Sequence, residues 1–343
     1  MESGTEMKQL LKNHRGLLVL AMFFVILPFV LPYRALATEV IIFSLAVIAF
    51  DLLLGFTGVM MFCQASFFGT SVYLTALSII HLKASLFLAI LVGVAGAAVL
   101  ALIFGSMATL RKGSYSVLLT LAFNEMIYFI AYQWKAVTGG DDGLRGIARP
   151  PLEIPGLFKV SLASETSFYF LALFFFLLSF YVIKRIIDSP FGRVLMAIRE
   201  NEARAEAIGY NARLFKLLAF EICGIFIGLA GALHVLFMNF AHITNVAFDT
   251  SGNIVMMELI GGIGTLFGPI LGAFVVVLAS DKFSAMWARW PLILGAIFVL
   301  FVLFARGGIW GLIASATKRF GRSSLSKRLG FNTVAISKGE LNS

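Results

Sequence analysis

The chain has 343 residues, is 60% hydrophobic and only 13% charged, and has a mean hydropathy of +0.95. Soluble domains average about a quarter charged residues, so this composition excludes a soluble globular domain and sends most of the chain into a membrane. The net charge of +9 comes from basic residues set between apolar runs, where they orient a membrane protein rather than bind nucleic acid.

Residues 1–16 carry Lys8, Lys12 and Arg15 and are expected to form a cytoplasmic N-terminal segment. An apolar run follows at 17–33. It is long for a signal peptide and holds Pro28 and Pro32, so we read it as a retained first helix despite the small residues near Ala37. Further apolar spans are predicted at 40–61, 62–80, 84–108, 114–134, 166–184, 214–238 and 290–305. The stretch 246–282 contains Asp249, Glu258 and a glycine-rich run, and reads as one tilted span, a re-entrant segment or two short spans. The fold class is an all-α polytopic membrane protein, a bundle of about eight to ten spans. Alternating the spans from a cytoplasmic N-terminus, with 246–282 crossing an even number of times, puts 19 of the 27 Lys and Arg residues on one side, with both termini cytoplasmic. The opposite side then holds a long Gly- and Pro-rich loop at 135–165, read either as a solvated connector or as a docking face. A basic cytoplasmic tail closes the chain at 314–343.

One charged island breaks the apolar pattern. Between Lys184 and Lys216 lie seven basic and four acidic residues. Ser189 and Pro190 form a helix start, Val194, Leu195 and Ile198 share one face, and Arg193 and Arg199 lie off that face. A second helix is predicted from Asn201 to Ile208, ended by Gly209, with Glu200 and Arg204 spaced as an i,i+4 pair. Two short surface helices suit a lever pushed by a soluble partner; an interfacial amphipathic loop is the plainer reading.

Glycines recur at Gly264, Gly268 and Gly272, and at Gly224 and Gly228, the spacing that lets membrane helices approach closely. Gly55 to Gly58, and Gly261, Gly262 and Gly264, also read as helix breaks. Asp51, Glu125, Glu221 and Glu258 fall inside predicted spans, where an ionised group costs about 2.5–3.5 kcal/mol. They must face the bundle interior, a wet cavity or an interface. Asn124 and Glu125 can line a solute path or bond to broken backbone, Asp51 can cap a break near Gly55, and Glu221 can snorkel or meet Lys216. Cys63 and Cys223 sit in apolar runs, and the four histidines show no metal spacing, so neither a disulfide nor a metal site is expected. The chain has no GxxxxGK[ST] and no GxSxG, so it is not expected to bind ATP or to catalyse a covalent step.

Several segments occur together in order: GFTGVMMFCQASFFGTSVYLTAL at 55–77, LTLAFNEM at 119–126, TGGDDGLRGI at 138–147, FGRVLMAIRENEARAEAIGYN at 191–211 and ELIGGIGTLFGPILGA at 258–273. Over about residues 40–312 the chain thereby resembles the branched-chain amino acid ABC transporter permeases of the LivM type. It departs from that family's usual pattern at 59–66 and at Asp51.

The resemblance implies a permease domain at 17–313 that works by alternating access in an importer. Its partners would be ATP-binding cassette subunits holding ATP and magnesium, a distinct second permease and a periplasmic or extracellular solute-binding protein, all in or at the bacterial inner membrane and its lipid. The loop at 185–213 would be the coupling segment, with Arg193, Arg199, Glu202, Glu206 and Gly209 in the matching motif. Asp51, Gly55, Gly58, Asn124, Glu125, Gly261, Gly262 and Gly264 are candidates for the solute path or for helix breaks. Leucine, isoleucine and valine are the solutes the resemblance favours. Urea or short amides are the alternative, and a proton-coupled secondary transporter using Asp51, Glu125 and Glu258 is the rival of another class.

Overall fold

A computed structural model describes residues 20–110, 113–154, 158–160, 164–286, 289–304 and 307–312. The N-terminal segment 1–16, Arg111 with Lys112 and the basic tail at 314–343 lie outside the described residues. The fold is an all-α helical bundle with the character of a polytopic membrane protein. Its long helices are α2 (Arg34–Asp51, continued by a π-helical turn Leu52–Phe56), α3 (Gln64–Leu82), α4 (Leu86–Ala108), α5 (Ser114–Gln133), α7 (Glu165–Ile187), α10 (Ala212–Met238) and α12 (Phe267–Met286). These seven are long and apolar enough to cross a membrane. The expected spans at 17–33 and 290–305 appear as the shorter apolar helices α1 (Leu20–Val30) and α13 (Trp290–Phe304).

The ambiguous stretch at 246–282 resolves into two helices. The 14-residue α11 (Phe248–Gly261) and α12 form an antiparallel hairpin, separated by a break at residues 262–266. That turn carries three positive φ angles, Gly262 at 118°, Gly264 at 74° and Leu266 at 57°. Glycine adopts such angles at no steric cost, whereas Leu266 has to be held there. The hairpin closes because its contact positions lack side chains. A Cβ on Gly272 would lie 1.8 Å from the Met257 carbonyl oxygen, and one on Gly261 would lie 2.1 Å from that of Gly268. The predicted stripe is therefore Gly268 and Gly272 only; Gly264 sits in the break. The other predicted stripe is in place, with Gly224 against Ala101 and Gly228 against Ala97. Close backbone approach is what associates helices where lipid removes the hydrophobic drive.

α2 is the centre of the bundle. It is buried almost all round, from Leu36 to Leu53, and its sequence is apolar on every face, as a core helix must be. α4 and α5 lie at the edge, exposing Leu91, Val99, Tyr115 and Phe129.

The island forms one end of the bundle. At the other end, Leu144 bridges to Ala241 and Arg149 donates to the carbonyls of Leu236 and Phe237, under the Phe168 ring 4.8 Å away. The long loop there holds more than turns. It contains the one-turn helix α6 (Lys135–Thr138) and an antiparallel hairpin of β1 (Leu152–Ile154) and β2 (Phe158–Val160). Tyr33 donates to Asp281 at this end, which pushes the phenol pKa up to about 12.

Two substitutions probe this packing. Gly272→Leu is expected to force α11 off α12 and cost about 1–3 kcal/mol, read as a lower unfolding temperature in detergent. Asn124→Ala strands the Val246 carbonyl and the Ser66 hydroxyl and is expected to cost a similar ~1–3 kcal/mol. An unchanged unfolding temperature in either variant contradicts the packing described.

Candidate functional site

The island folds as two helices, α8 (Pro190–Glu200) and α9 (Glu202–Ala207), each opened by a side-chain cap. Ser189 Oγ accepts from Gly192 N at 3.4 Å, with Pro190 in the first helical position. Asn201 Oδ1 accepts from Arg204 N at 2.9 Å, and Asn211 Oδ1 then starts α10 by accepting from Leu214 N at 3.1 Å. Three short polar side chains thus satisfy the first N–H groups of three successive helices. The predicted stripe is buried, with Leu195 fully so, and Gly209 takes φ = 98° to end α9.

The expected Glu200–Arg204 pair does not form. Asn201 adopts an extended conformation (φ −159°, ψ 99°), so the two residues belong to different helices and lose the i,i+4 relation. Lys216 instead pairs with Glu202 at 2.8 Å, tying α9 to α10. This also removes the suggested Lys216–Glu221 contact; a Glu221 oxygen is buried without a partner. Arg193, Glu206 and Gly209 are exposed, beside the exposed apolar side chains of Ile208 and Tyr210. A groove of about 510 Å³ runs between α8 and the start of α10, lined by Phe191, Arg193, Tyr210 and Phe215.

Arg199 is exposed, and its guanidinium donates to the Gly55 carbonyl. Gly55 lies in the π-helical turn that ends α2, and Gly58 follows at φ = 76°. One turn before Gly55, Asp51 is fully buried. Its two oxygens accept from Gly264 N at 2.6 Å and Leu266 N at 3.0 Å. The sequence candidates Asp51, Gly55, Gly58, Gly261, Gly262 and Gly264 therefore gather at one place, where the end of α2 meets the α11–α12 break. Thr265 completes the break, its hydroxyl donating to the Gly262 carbonyl at 2.8 Å and accepting from Gly268 N at 3.0 Å. Glu258 lies beside Asp51 and is fully buried, its carboxyl group against that of Asp51.

Asn124 and Glu125 lie elsewhere and part from each other. Asn124 is fully buried, accepting from Ser66 Oγ at 3.0 Å and donating to the Val246 carbonyl at 3.2 Å, so it ties α5 to α3 and to the turn before α11. Glu125 is exposed on the outer face of α5.

Two cavities share Met60 in their linings, and the sequence candidates Gly58, Arg199 and Glu202 line the first. One, of about 350 Å³, lies at the island end, lined by Thr57, Arg199, Glu202 and Lys216. The other, of about 550 Å³, lies along α11 and α13, lined by Phe62, Asp249, Asn253, Leu259 and Phe298. Met60 lines both. The residues come from segments far apart in the chain, which no local pattern joins. No group of His, Cys, Asp and Glu suited to a metal occurs among the described residues.

Residues 33–325 match the family described as branched-chain amino acid transport system / permease component. The chain is 25% identical over 293 residues to the high-affinity branched-chain amino acid transport system permease protein LivM of Escherichia coli (strain K12), covering 80% of this chain and 69% of that one. It is 26% identical, with the same coverage, to the protein of that name from Salmonella typhimurium. Over a shorter stretch of 116 residues, 32% of this chain and 35% of the relative, it is 26% identical to the ribose import permease protein RbsC of Haemophilus influenzae. No solved structure matches the chain. With the family matched over most of its length, this chain belongs to the permease components of the branched-chain amino acid transport systems.

Proposed function

We propose that this chain is a permease subunit of an ATP-binding cassette importer for leucine, isoleucine and valine. It works by alternating access and catalyses no covalent step. ATP and magnesium act on separate ATPase subunits. A second, distinct permease completes the membrane unit, and an external solute-binding protein delivers the solute to the end that carries the 135–165 loop. The protein lies in the bacterial inner membrane with both termini in the cytoplasm, residues 17–313 forming the permease domain and 185–213 the coupling loop.

The observation that carries this reading is the island. Three capped helix starts make it rigid, and it presents Arg193, Glu206, Ile208 and Tyr210 outward. A rigid charged lever serves a chain without the GxxxxGK[ST] pattern, one that would receive its energy by contact. A partner shifts a conformational equilibrium only as far as it binds the two states differently, and here ATP-bound ATPase supplies the difference. Exposed Glu125 supports the two-permease unit. A carboxylate at mid-span is costly against lipid, so this face of α5 suits a wet path shared with the second permease. The two cavities at Met60 provide room for a small solute along the same chain.

Deletion of the gene in its host is expected to abolish uptake of labelled leucine, with recovery on return of the intact gene. Loss of urea uptake instead keeps the importer and replaces the solute. Uptake abolished by an uncoupler but indifferent to loss of the ATPase overturns the importer in favour of a proton-coupled carrier. Glu206→Lys is expected to cut uptake about tenfold or more by placing a like charge at the partner contact, with normal abundance in the membrane.

A further inference from the structure

The resemblance places Arg199 with the residues that meet the ATPase. Its geometry points elsewhere, and we infer that Arg199 is a positioning residue that joins the coupling helices to the α2 break, and through that break to α11. This deepens the proposed function and rests on its reading of the island as the receiver of the partner's motion.

Arg199 is the penultimate residue of α8, so any displacement of α8 carries it. Its Nη1 donates to the Gly55 carbonyl. The neighbouring glycines leave the space it needs. A Cβ on Gly58 would lie 2.9 Å from Arg199 Cγ, and one on Gly264 would lie 3.1 Å from Nη1. Gly55 in turn has no room for a side chain: a Cβ there would lie 1.8 Å from Asp51 Oδ1 and 2.6 Å from Gly264 N. Asp51 holds Gly264 N and Leu266 N. The contacts run without a gap from α8 to Gly55, to Asp51 and to the turn between α11 and α12.

The path continues into α11. Glu258 on that helix lies against Asp51, and α11 supplies Asp249, Asn253 and Leu259 to the wall of the 550 Å³ cavity. Both ends of the linkage are irregular backbone. A π-helical turn and a turn with three positive φ angles re-form more readily than an unbroken helix, so the push arrives where the bundle can rearrange. Arg193 and Glu206 are left on the exposed side to meet the partner.

The test uses the whole importer, with this permease, its partner permease, the ATPase and the binding protein in proteoliposomes. Capture of the ATPase, ATP hydrolysis and leucine uptake are measured together. Arg199→Ala is expected to capture ATPase and hydrolyse ATP as the native complex does, with uptake reduced about tenfold or more, the scale of one charge-assisted hydrogen bond. Arg199→Gln keeps a stem over Gly58 and an N–H donor, and is expected to restore part of the uptake. Glu206→Lys is expected to lose capture itself. Capture and uptake falling together in Arg199→Ala make Arg199 a docking residue and overturn the inference, as does native uptake in that variant. If Arg199→Ala does not assemble, Arg199→Gln decides: uptake lost to the same degree as capture, or uptake equal to native, overturns it. Failure of the underlying function shows separately, as a native complex that captures no ATPase and moves no solute.

Discussion

A break between two packed helices leaves backbone N–H groups without their intrahelical partners. In this chain the carboxylate of Asp51 takes two of them, from Gly264 and Leu266, across more than two hundred residues of sequence. That one side chain stabilises the break between α11 and α12 and fixes it against the end of α2. The hairpin of α11 and α12, the position of Glu258 and the α11 wall of the larger cavity all follow from where the break is held. Removing the carboxylate would leave buried donors unpaired, the costly half of any hydrogen-bond deletion.

Small residues do the complementary work. Gly55, Gly261 and Gly272 let backbone meet backbone at distances a single Cβ would forbid. The same absence of side chains that weakens a helix in water permits tight assembly in lipid, where packing and hydrogen bonds replace hydrophobic association. The bundle is loosest along α5 and α13, and these two helices and the outer side of α4 leave exposed apolar faces for lipid or for another subunit.

The island couples these two levels. Its helices are stopped and started by Ser189, Asn201 and Asn211, which keeps it short and rigid, and Lys216 pairs with Glu202 to fasten α9 to the root of α10. Outward it shows charge and a few apolar side chains; inward it shows a buried stripe, and the Arg199 guanidinium reaches the Gly55 carbonyl. A lever needs both a face for the push and a fixed point within the body, and the two sides of α8 divide those roles.

The sequence by itself determined the membrane class, most of the spans, the island with its caps and the family resemblance. Each rests on short-range information: an apolar run of sufficient length, a Ser-Pro or Asn at a helix start, an ordered set of motifs. It also marked Asp51, Gly55, Gly261, Gly262 and Gly264 as unusual, because a carboxylate or clustered glycines in apolar surroundings are costly wherever they point. Only the tertiary structure decided that these residues meet one another, that Arg199 reaches the Gly55 carbonyl, and that Asn124 is a buried tie while its neighbour Glu125 is exposed. One residue of helix turns a side chain by about 100°, so adjacent positions face different surroundings. The Glu200–Arg204 pair failed for a related reason: one extended residue between two helices cancels a spacing rule that holds only within one. What a pattern fixes is the element; which side chains share a site depends on contacts between segments hundreds of residues apart.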